Sequence, residues 1–393
     1  MSASSMLDKI RKKQSRVENQ GLLRRRHAIS VNGAEEQNLD LSGGLSLTQE
    51  GKHYLNFSSN DYLGLSRSKV LIEALILGAN TYGVGSGSSP LVTGYSEAHL
   101  VLEQKLCEVT GHQAALLFCS GFSANTALMK TLFDSSDRVI ADKLVHASVI
   151  DGLKDSQAEF KRFLHNDIAS AERLISKQAP SALVTESIFS MDGDIAPLAA
   201  LSRLCKQHHM SFIVDDAHGF GVQMPPLVDA TIADIQVVTF GKALGCQGAA
   251  ILASQEVIDF LVSNAREYIY STALSPANAC VALAAVELVN SDFSRSKKLN
   301  ENIDYFRKQC EQTGIKLTDS QTAIQPLILG DVDVTLKVAE QLKQLGFCVG
   351  AIRPPTVPQG ASRLRMTLTA MHTFNDLDKL VDGLKSVLHH HEI

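Results

Sequence analysis

Two short apolar runs, Phe212-Ile213-Val214-Asp215-Asp216-Ala217-His218 and Val237-Val238-Thr239-Phe240-Gly241-Lys242, constrain this chain more than any other feature. Each reads as a strand buried on both faces inside a parallel sheet. Such sheets gather their chemistry beyond the strand C-termini, so two carboxylates, an imidazole and an amine are brought to one crevice. A lysine delivered by an apolar strand has its ammonium form disfavoured, which makes Lys242 a candidate Schiff-base nucleophile toward an aldehyde. Pyridoxal 5'-phosphate is the aldehyde that needs that company, because a carboxylate beside its ring nitrogen keeps the ring protonated and electron-withdrawing.

The rest of the chain is read outward from those runs. Between about residue 53 and residue 285, short β-like runs alternate with helical patterns, the signature of a parallel sheet flanked by helices. Ala98, Leu102, Leu106 and Val109 fall at helical spacing and stop at Gly111. Ala114 to Cys119 reads as a strand and Phe122 to Phe133 as the helix after it. Leu183-Val184 marks another strand, and Pro197 opens a helix where a missing N–H does no harm. Beyond about residue 285 the pattern predicts a long helix, a strand over Ile324 to Leu329 and a helix ending at Gly346. Strands near Phe347 to Ile352 and Leu364 to Thr369 follow, and a last helix starts near Thr373. The organisation expected is an N-terminal segment over 1–52, a large α/β domain over 53–285 and a smaller α+β domain over 286–393.

Composition narrows the function classes. With 393 residues and 45% hydrophobic content the chain can bury a large core, and its formal net charge of -5 argues against general nucleic-acid binding. The basic stretch from Lys9 to Arg26, including Arg24-Arg25-Arg26, reads first as a solvated helical arm, and Asp8 and Glu18 interrupt a transit-peptide pattern. Seven cysteines, Cys107, Cys119, Cys205, Cys246, Cys280, Cys310 and Cys348, are scattered without a C-x-x-C pair. They are expected to be reduced thiols of a cytoplasmic protein. No apolar stretch is long enough to span a bilayer, so no membrane partner is expected.

The local motifs each carry two readings. Ser120-Gly121-Phe122-Ser123-Ala124-Asn125 joins a strand to a helix and serves equally as a phosphate-binding turn or as an ordinary tight turn. Gly83, Gly85 and Gly87 fail the dinucleotide pattern because Pro90 stands where the third glycine belongs, and Gly241-Lys242 fails the P-loop pattern at Ala243. Asp215, Asp216 and His218 are an alternative metal set, although His208 and His209 precede the strand and belong at its other end. Thr239-x-x-Lys242 resembles the S-x-x-K arrangement of serine acylases, but its partner motifs are missing. His146 alone reads as a satisfied core histidine, and gains a role only where its face can stack on a planar ring.

Taken together and in order, several segments resemble one family. They are Asn56-Phe57-Ser58-Ser59-Asn60-Asp61-Tyr62-Leu63-Gly64-Leu65, the Ser120 to Asn125 turn, Thr185 to Asp194, Asp215-Asp216-Ala217-His218-Gly219, Thr239-Phe240-Gly241-Lys242, and Ile352-Arg353-Pro354-Pro355-Thr356-Val357-Pro358. The match is to the α-oxoamine synthases, acyl-CoA:amino-acid C-acyltransferases of the fold-type I pyridoxal phosphate class. The resemblance implies a mostly parallel seven-stranded sheet flanked by helices with a smaller α+β domain, and no metal. It implies that Lys242 holds the cofactor and moves the α-proton, with Asp215 at the ring nitrogen, His218 at the ring oxygen and His146 stacked on the ring. Gly121, Phe122 and Thr239 are expected at the phosphate and Ser190 at the ring. Asn60 and Arg365 match positions that hold an amino-acid carboxylate, and Arg24 and Thr356 match positions on the acyl side. Ser271 and Thr272 match a segment that reaches the neighbouring subunit's phosphate, which implies a homodimer with shared sites.

Within the family, the Ile352 to Pro358 run and Arg24-Arg25-Arg26 are most similar to the branch that joins L-alanine to a pimeloyl thioester on coenzyme A or an acyl-carrier protein. Glycine C-acetyltransferase and 5-aminolevulinate synthase types are the sibling alternatives. A metal-dependent hydrolase and a non-catalytic relative are the rivals from other classes. Three departures stand out. The path from Val222 through Gln223-Met224-Pro225-Pro226 to Asp234 is short, Pro90-Leu91 replace the usual Gly-His, and Ser89 replaces a threonine of glycine-using relatives. The smaller Ser89 leaves room for alanine's methyl group.

Overall fold

The computed structural model describes residues 5–19, 22–24, 26–31, 45–177 and 179–391, so Arg25 of the basic run lies outside the described residues. Helix α1 (Met6–Asn19) buries none of its side chains, so the first part of the basic stretch is a helical arm clear of the core. Strands β1 (Ser30–Val31), β2 (Ser46–Gln49) and β3 (Lys52–Asn56) form an antiparallel ribbon. Helix α2 (Lys69–Tyr82) begins at Ser68, whose hydroxyl accepts the Leu71 N–H. A π-helical turn over Pro90–Gly94 then leads to α3 (Glu97–Thr110), which stops at Gly111 in the left-handed region, φ 77°.

The strand-helix alternation read from the sequence is present. It runs β4 (Ala114–Phe118), α4 (Gly121–Leu132), β5 (Arg138–Asp142), α5 (Ala147–Ser156), β6 (Glu159–Phe163) and α6 (Ile168–Lys177). It continues with β7 (Ala182–Glu186), α7 (Leu198–Gln207), β8 (Ser211–Asp215), β9 (Ile235–Thr239) and β10 (Ala249–Ala253). Among the described residues these strands make a seven-stranded sheet in the order β4-β10-β9-β8-β7-β5-β6. Strand β10 is antiparallel to both neighbours and the other pairs are parallel. Strands β7, β9 and β10 are buried at every position, which explains why apolar side chains dominate both of their faces. Strand β6, at the edge, exposes Glu159, Lys161 and Arg162, charges that discourage pairing with another chain.

Helices α8 (Gln255–Asn264), α9 (Arg266–Ile269), α10 (Pro276–Ser291) and α11 (Ser294–Gln312) follow the sheet. Helix α10 crosses α2 closely because Gly78 lies between them, where a Cβ would sit 2.9 Å from the Cα of Ala277. A mid-helix glycine costs about 1 kcal/mol in propensity, and here the close crossing offsets it. The chain ends with β11 (Ile324–Gly330), α12 (Val332–Gln344), β12 (Phe347–Cys348), β13 (Gly350–Ile352), β14 (Ser362–Thr367) and α13 (Phe374–His389). Strands β11, β14 and β13 form an antiparallel sheet, and β12 pairs in parallel with β3. That last pairing ties the N-terminal ribbon to the C-terminal part, with β3 lying across the boundary expected at residue 53. Among the described residues no helix is long and apolar enough to cross a membrane.

Candidate functional site

The residues singled out on the large sheet lie at or just beyond strand C-termini. Gly121 and Phe122 follow β4, His146 follows β5, Ser190 follows β7, Asp215 and His218 end β8, and Thr239 and Lys242 end β9. All of them except Ser190 line a cavity of about 380 Å³, whose wall also includes Asn60. A buried parallel sheet brings them together for a simple reason. Every apolar strand must stop somewhere, and the polar residues that stop these strands all leave the sheet on the same side.

Lys242 is the centre of the charge arrangement. Burial pushes its amine down to about 8, against the opposing pull of the Asp215 and Glu186 carboxyls, so about a tenth is the neutral nucleophile at pH 7 and about half at pH 8. Its Nζ lies 2.7 Å from Nε2 of His218, and Nδ1 of that ring lies 2.6 Å from the Tyr62 hydroxyl. Burial, with the nearby Lys242 charge adding to it, holds His218 well below the ordinary histidine range. A neutral imidazole donates at one nitrogen and accepts at the other, which is what two such neighbours require. Burial likewise pushes the Tyr62 phenol up to about 12.

The acid side is equally specific. Asp215 Oδ2 accepts from Asn125 Nδ2 at 2.6 Å, and its Oδ1 accepts the Ala217 N–H at 3.1 Å. The same Asn125 amide reaches Ser148 Oγ at 3.1 Å, and that hydroxyl meets His146 Nδ1 at 2.7 Å. A buried polar chain thus connects the carboxylate to the imidazole at the cavity rim. Asn125 and Ser148 are both buried, and neither is legible as a site residue from local sequence.

Glu186 is a further residue that the sequence reading missed. It lies opposite Asp215 in the β7–β8 register and lines the cavity at 3% exposure, with no partner for its Oε1. Burial raises its pKa well above the ordinary carboxyl value, and the charge on Asp215 adds to that. Its signal was available in the Thr185-Glu186-Ser187 segment, where a carboxylate ends an apolar strand as Asp215 does.

The phosphate turn is also built as one. Ser120 caps α4 by accepting the Ser123 N–H, so the helix N-terminus opens toward the cavity. A Cβ at Gly121 would come 2.5 Å from the Thr239 methyl, so only glycine lets the two elements close on each other. Phe122 lies edge-on to His146, with ring centroids 6.3 Å apart. These residues fit pyridoxal 5'-phosphate. They offer an amine for its aldehyde, a carboxylate for its ring nitrogen, a glycine-lined helix N-terminus for its phosphate and an unpartnered carboxyl oxygen in the wall.

The other expected residues lie outside the lining of this cavity, apart from Asn60. Arg365, on β14, donates from Nε to the Ser190 carbonyl at 2.6 Å and from both Nη atoms to Asn60 Oδ1 at 3.2 Å. It therefore reaches the cavity wall through Asn60. Arg24 and Thr356 are brought together at 3.2 Å beside a separate cavity of about 610 Å³ that Arg353 also lines. Ser271 and Thr272 are exposed outside the lysine cavity, and the Thr272 carbonyl accepts from Cys119 Sγ at 3.5 Å. Pro90 and Leu91 line yet another cavity, of about 570 Å³, and not the lysine cavity of the same chain. Asp216 does not join Asp215 and His218 at the cavity but accepts from Gln236 Nε2 at 2.8 Å. Among the described residues no group of three or more His, Cys, Asp or Glu is disposed to hold a metal ion.

Comparison with known proteins agrees with this geometry. Residues 52–384 match the model of the family described as aminotransferase class I and II. The 8-amino-7-oxononanoate synthase of Yersinia pseudotuberculosis serotype O:1b is 44% identical over 377 residues, 94% of this chain and 98% of that protein. The synthase of Yersinia pestis strain Pestoides F gives the same identity and coverage, 44% over 377 residues, 94% and 98%. Among solved structures, a Francisella tularensis 8-amino-7-oxononanoate synthase is 28% identical and covers 86% of this chain and 99% of its own, with a TM-score of 0.75. A serine palmitoyltransferase of Sphingomonas wittichii is 24% identical, with a TM-score of 0.88 over 98% of this chain and 99% of its own, which speaks for the fold alone.

Proposed function

The chain belongs to the class I and II aminotransferase family and, within it, to the 8-amino-7-oxononanoate synthases. From that membership we propose that it joins L-alanine to a pimeloyl thioester, on coenzyme A or an acyl-carrier protein. The products are 8-amino-7-oxononanoate, CO₂ and the free thiol carrier, a step of biotin biosynthesis. Its cofactor is pyridoxal 5'-phosphate, which when bound supplies an electron sink for breaking bonds at the amino acid's Cα.

The chain's own residues do the rest. Lys242 would hold the cofactor through its aldehyde and would move the proton at the amino acid's Cα, tasks suited to an amine with a pKa of about 8. Asp215 would pair with the ring nitrogen, its carboxylate oriented by Asn125. His218 would serve the ring oxygen, Ser190 would help fix the ring, and His146 would stack on it. The amides of Gly121 and Phe122 with the Thr239 hydroxyl would take the phosphate, and Arg365 with Asn60 would take the amino-acid carboxylate. Arg24 and Thr356 line the acyl side.

The observation that carries this reading is the pairing of a pKa-lowered Lys242 with a buried Asp215 in one cavity. The test offers purified protein alanine, glycine or serine with acetyl-, succinyl-, palmitoyl- or pimeloyl-thioester and follows thiol release. Fastest turnover is expected with alanine and the pimeloyl donor. Faster turnover with glycine overturns the assignment, and failure to rescue a biotin auxotroph lacking this enzyme counts equally against it.

The same reading includes a cytoplasmic homodimer with sites shared between subunits, and Ser271 and Thr272 reaching the partner's phosphate. It is supported by their exposure and by the apolar side chains that one chain leaves in solvent near α2, such as Leu77 at 68% and Val84 at 87%. It also includes the division into a segment over 1–52, a large domain over 53–285 and a small domain over 286–393. Light scattering showing a monomer at micromolar concentration contradicts the shared site.

A further inference from the structure

His165, just beyond β6, is held by two carboxylates from two other parts of the sheet. Its Nδ1 lies 2.9 Å from Asp142 Oδ1 at the end of β5, and its Nε2 lies 2.6 Å from Asp194 Oδ2 in the segment after β7. Carboxylates only accept, so a ring bonded to one at each nitrogen carries both protons and a positive charge. Burial acts to lower its pKa, but the hydrogen bonds and charges of Asp142 and Asp194 outweigh that and raise it to about 10. Asp142 is fully buried, so this cation also compensates a carboxylate that would otherwise be costly to keep inside.

The cluster acts on the site through short covalent paths. Asp142 Oδ1 accepts the Leu144 N–H at 2.8 Å, two residues before His146, and Asp142 Oδ2 accepts the Asn166 N–H at 2.8 Å. Asp194 Oδ2 also accepts from Asn166 Nδ2 at 2.7 Å, and the Asp194 carbonyl accepts the Phe189 N–H at 3.0 Å. The His165 ring meets that Phe189 edge-on, centroids 4.3 Å apart. The turn closed in this way presents the Ser190 carbonyl to Arg365 and the Asp192 carboxylate to Arg363.

We propose that His165 is a positioning residue for the amino-acid substrate: as a cation clamped between Asp142 and Asp194, it fixes the 189–194 turn against which Arg365 is aimed. This rests on the reading that Arg365 holds the substrate carboxylate. A neutral side chain at 165 leaves the Asp194 carboxylate held by Asn166 alone, which loosens the turn and lets Arg365 follow Ser190, so carboxylate binding suffers while Lys242 and Asp215 stay in place. The charged groups facing the ring are Asp142 from β5 and Asp194 from the segment after β7, both anionic, so the charge on His165 persists across the physiological range. A group whose folded pKa is raised gives its full stabilisation below its unfolded value of about 6.5. That contribution is lost as pH rises through about 10.

The test compares wild type, His165→Gln and Asp194→Asn as full-length holoenzymes. KM is read for whichever of alanine, glycine or serine the wild type turns over, so a wrong substrate sinks the reading above without touching this one. The expected result is a KM for the amino acid raised roughly tenfold, with kcat within about threefold and cofactor absorbance unchanged. Asp194→Asn keeps the buried pair with Asp142 and carries the test if His165→Gln does not fold. Independently of turnover, ¹⁵N-histidine NMR is expected to show one imidazolium ring from pH 6 to 9 that is missing in His165→Gln. A neutral His165 at pH 8, or folded variants with unchanged KM, overturns the proposal.

Discussion

Lys242 Nζ lies 2.7 Å from Nε2 of His218, and this one contact joins the end of β9 to the end of β8. The amine is therefore held by a neighbour that burial keeps neutral, so it gains a hydrogen-bond partner without gaining a counter-charge that would trap it as ammonium.

Tyr62 is the third member of that line, 2.6 Å from the other nitrogen of the same ring. Substituting Tyr62→Phe leaves His218 Nδ1 buried without a partner, at a cost of about 1–3 kcal/mol. Thermal unfolding is expected to shift down, and kcat to fall by roughly tenfold as the imidazole loses its orientation. An unchanged melting temperature and kcat would remove Tyr62 from the site.

The depressed pKa of Lys242 gives a pH prediction with a definite sign. Only the neutral amine attacks an aldehyde, so capture of added pyridoxal 5'-phosphate by the apoprotein should rise with pH through a midpoint of about 8 and then level off. Asp215 pulls the amine's pKa upward, so Asp215→Asn moves that midpoint lower. Stopped-flow absorbance of cofactor uptake across the pH range reads both, and a midpoint near 10.5 contradicts the burial argument.

Gly121→Ala places a methyl group 2.5 Å from the Thr239 methyl, too close for both to stay where they are. The expected loss is about 1–3 kcal/mol of stability from overpacking, with cofactor affinity weakened at least about tenfold. A second change, Thr239→Ser, removes the opposing methyl and should restore part of the affinity in an equilibrium titration. Equal affinity in Gly121→Ala and wild type would show that the turn has room to spare.

Arg365 uses Nε on Ser190 and both Nη atoms on Asn60, a fork that an ammonium cannot reproduce. Arg365→Lys keeps the charge and is expected to raise the KM for the amino acid by roughly tenfold or more, with a smaller effect on the acyl donor's KM. Steady-state kinetics with each substrate varied in turn separates the two. Equal effects on both substrates would place the arginine elsewhere in the reaction.

The sequence by itself determined the parallel sheet and the ends of its strands. Buried strands cannot hide their burial, since Val237-Val238 and Phe212-Ile213-Val214 are apolar on both faces, and the first polar residues after them must emerge together. Asp215, His218 and Lys242 were legible for that reason. What only the tertiary structure decided is which residues complete them. Tyr62, Asn125, Ser148 and Glu186 act through partners 156, 90, 23 and 29 positions away in the chain, counting to His218, Asp215, Asn125 and Asp215 respectively. A hydrogen bond across such a span has no periodic signature, because its geometry is set by strand order and not by spacing. The same holds for β3 pairing with β12, and for His165, whose charge exists only because two carboxylates, one ending β5 and one in the segment after β7, converge on one ring.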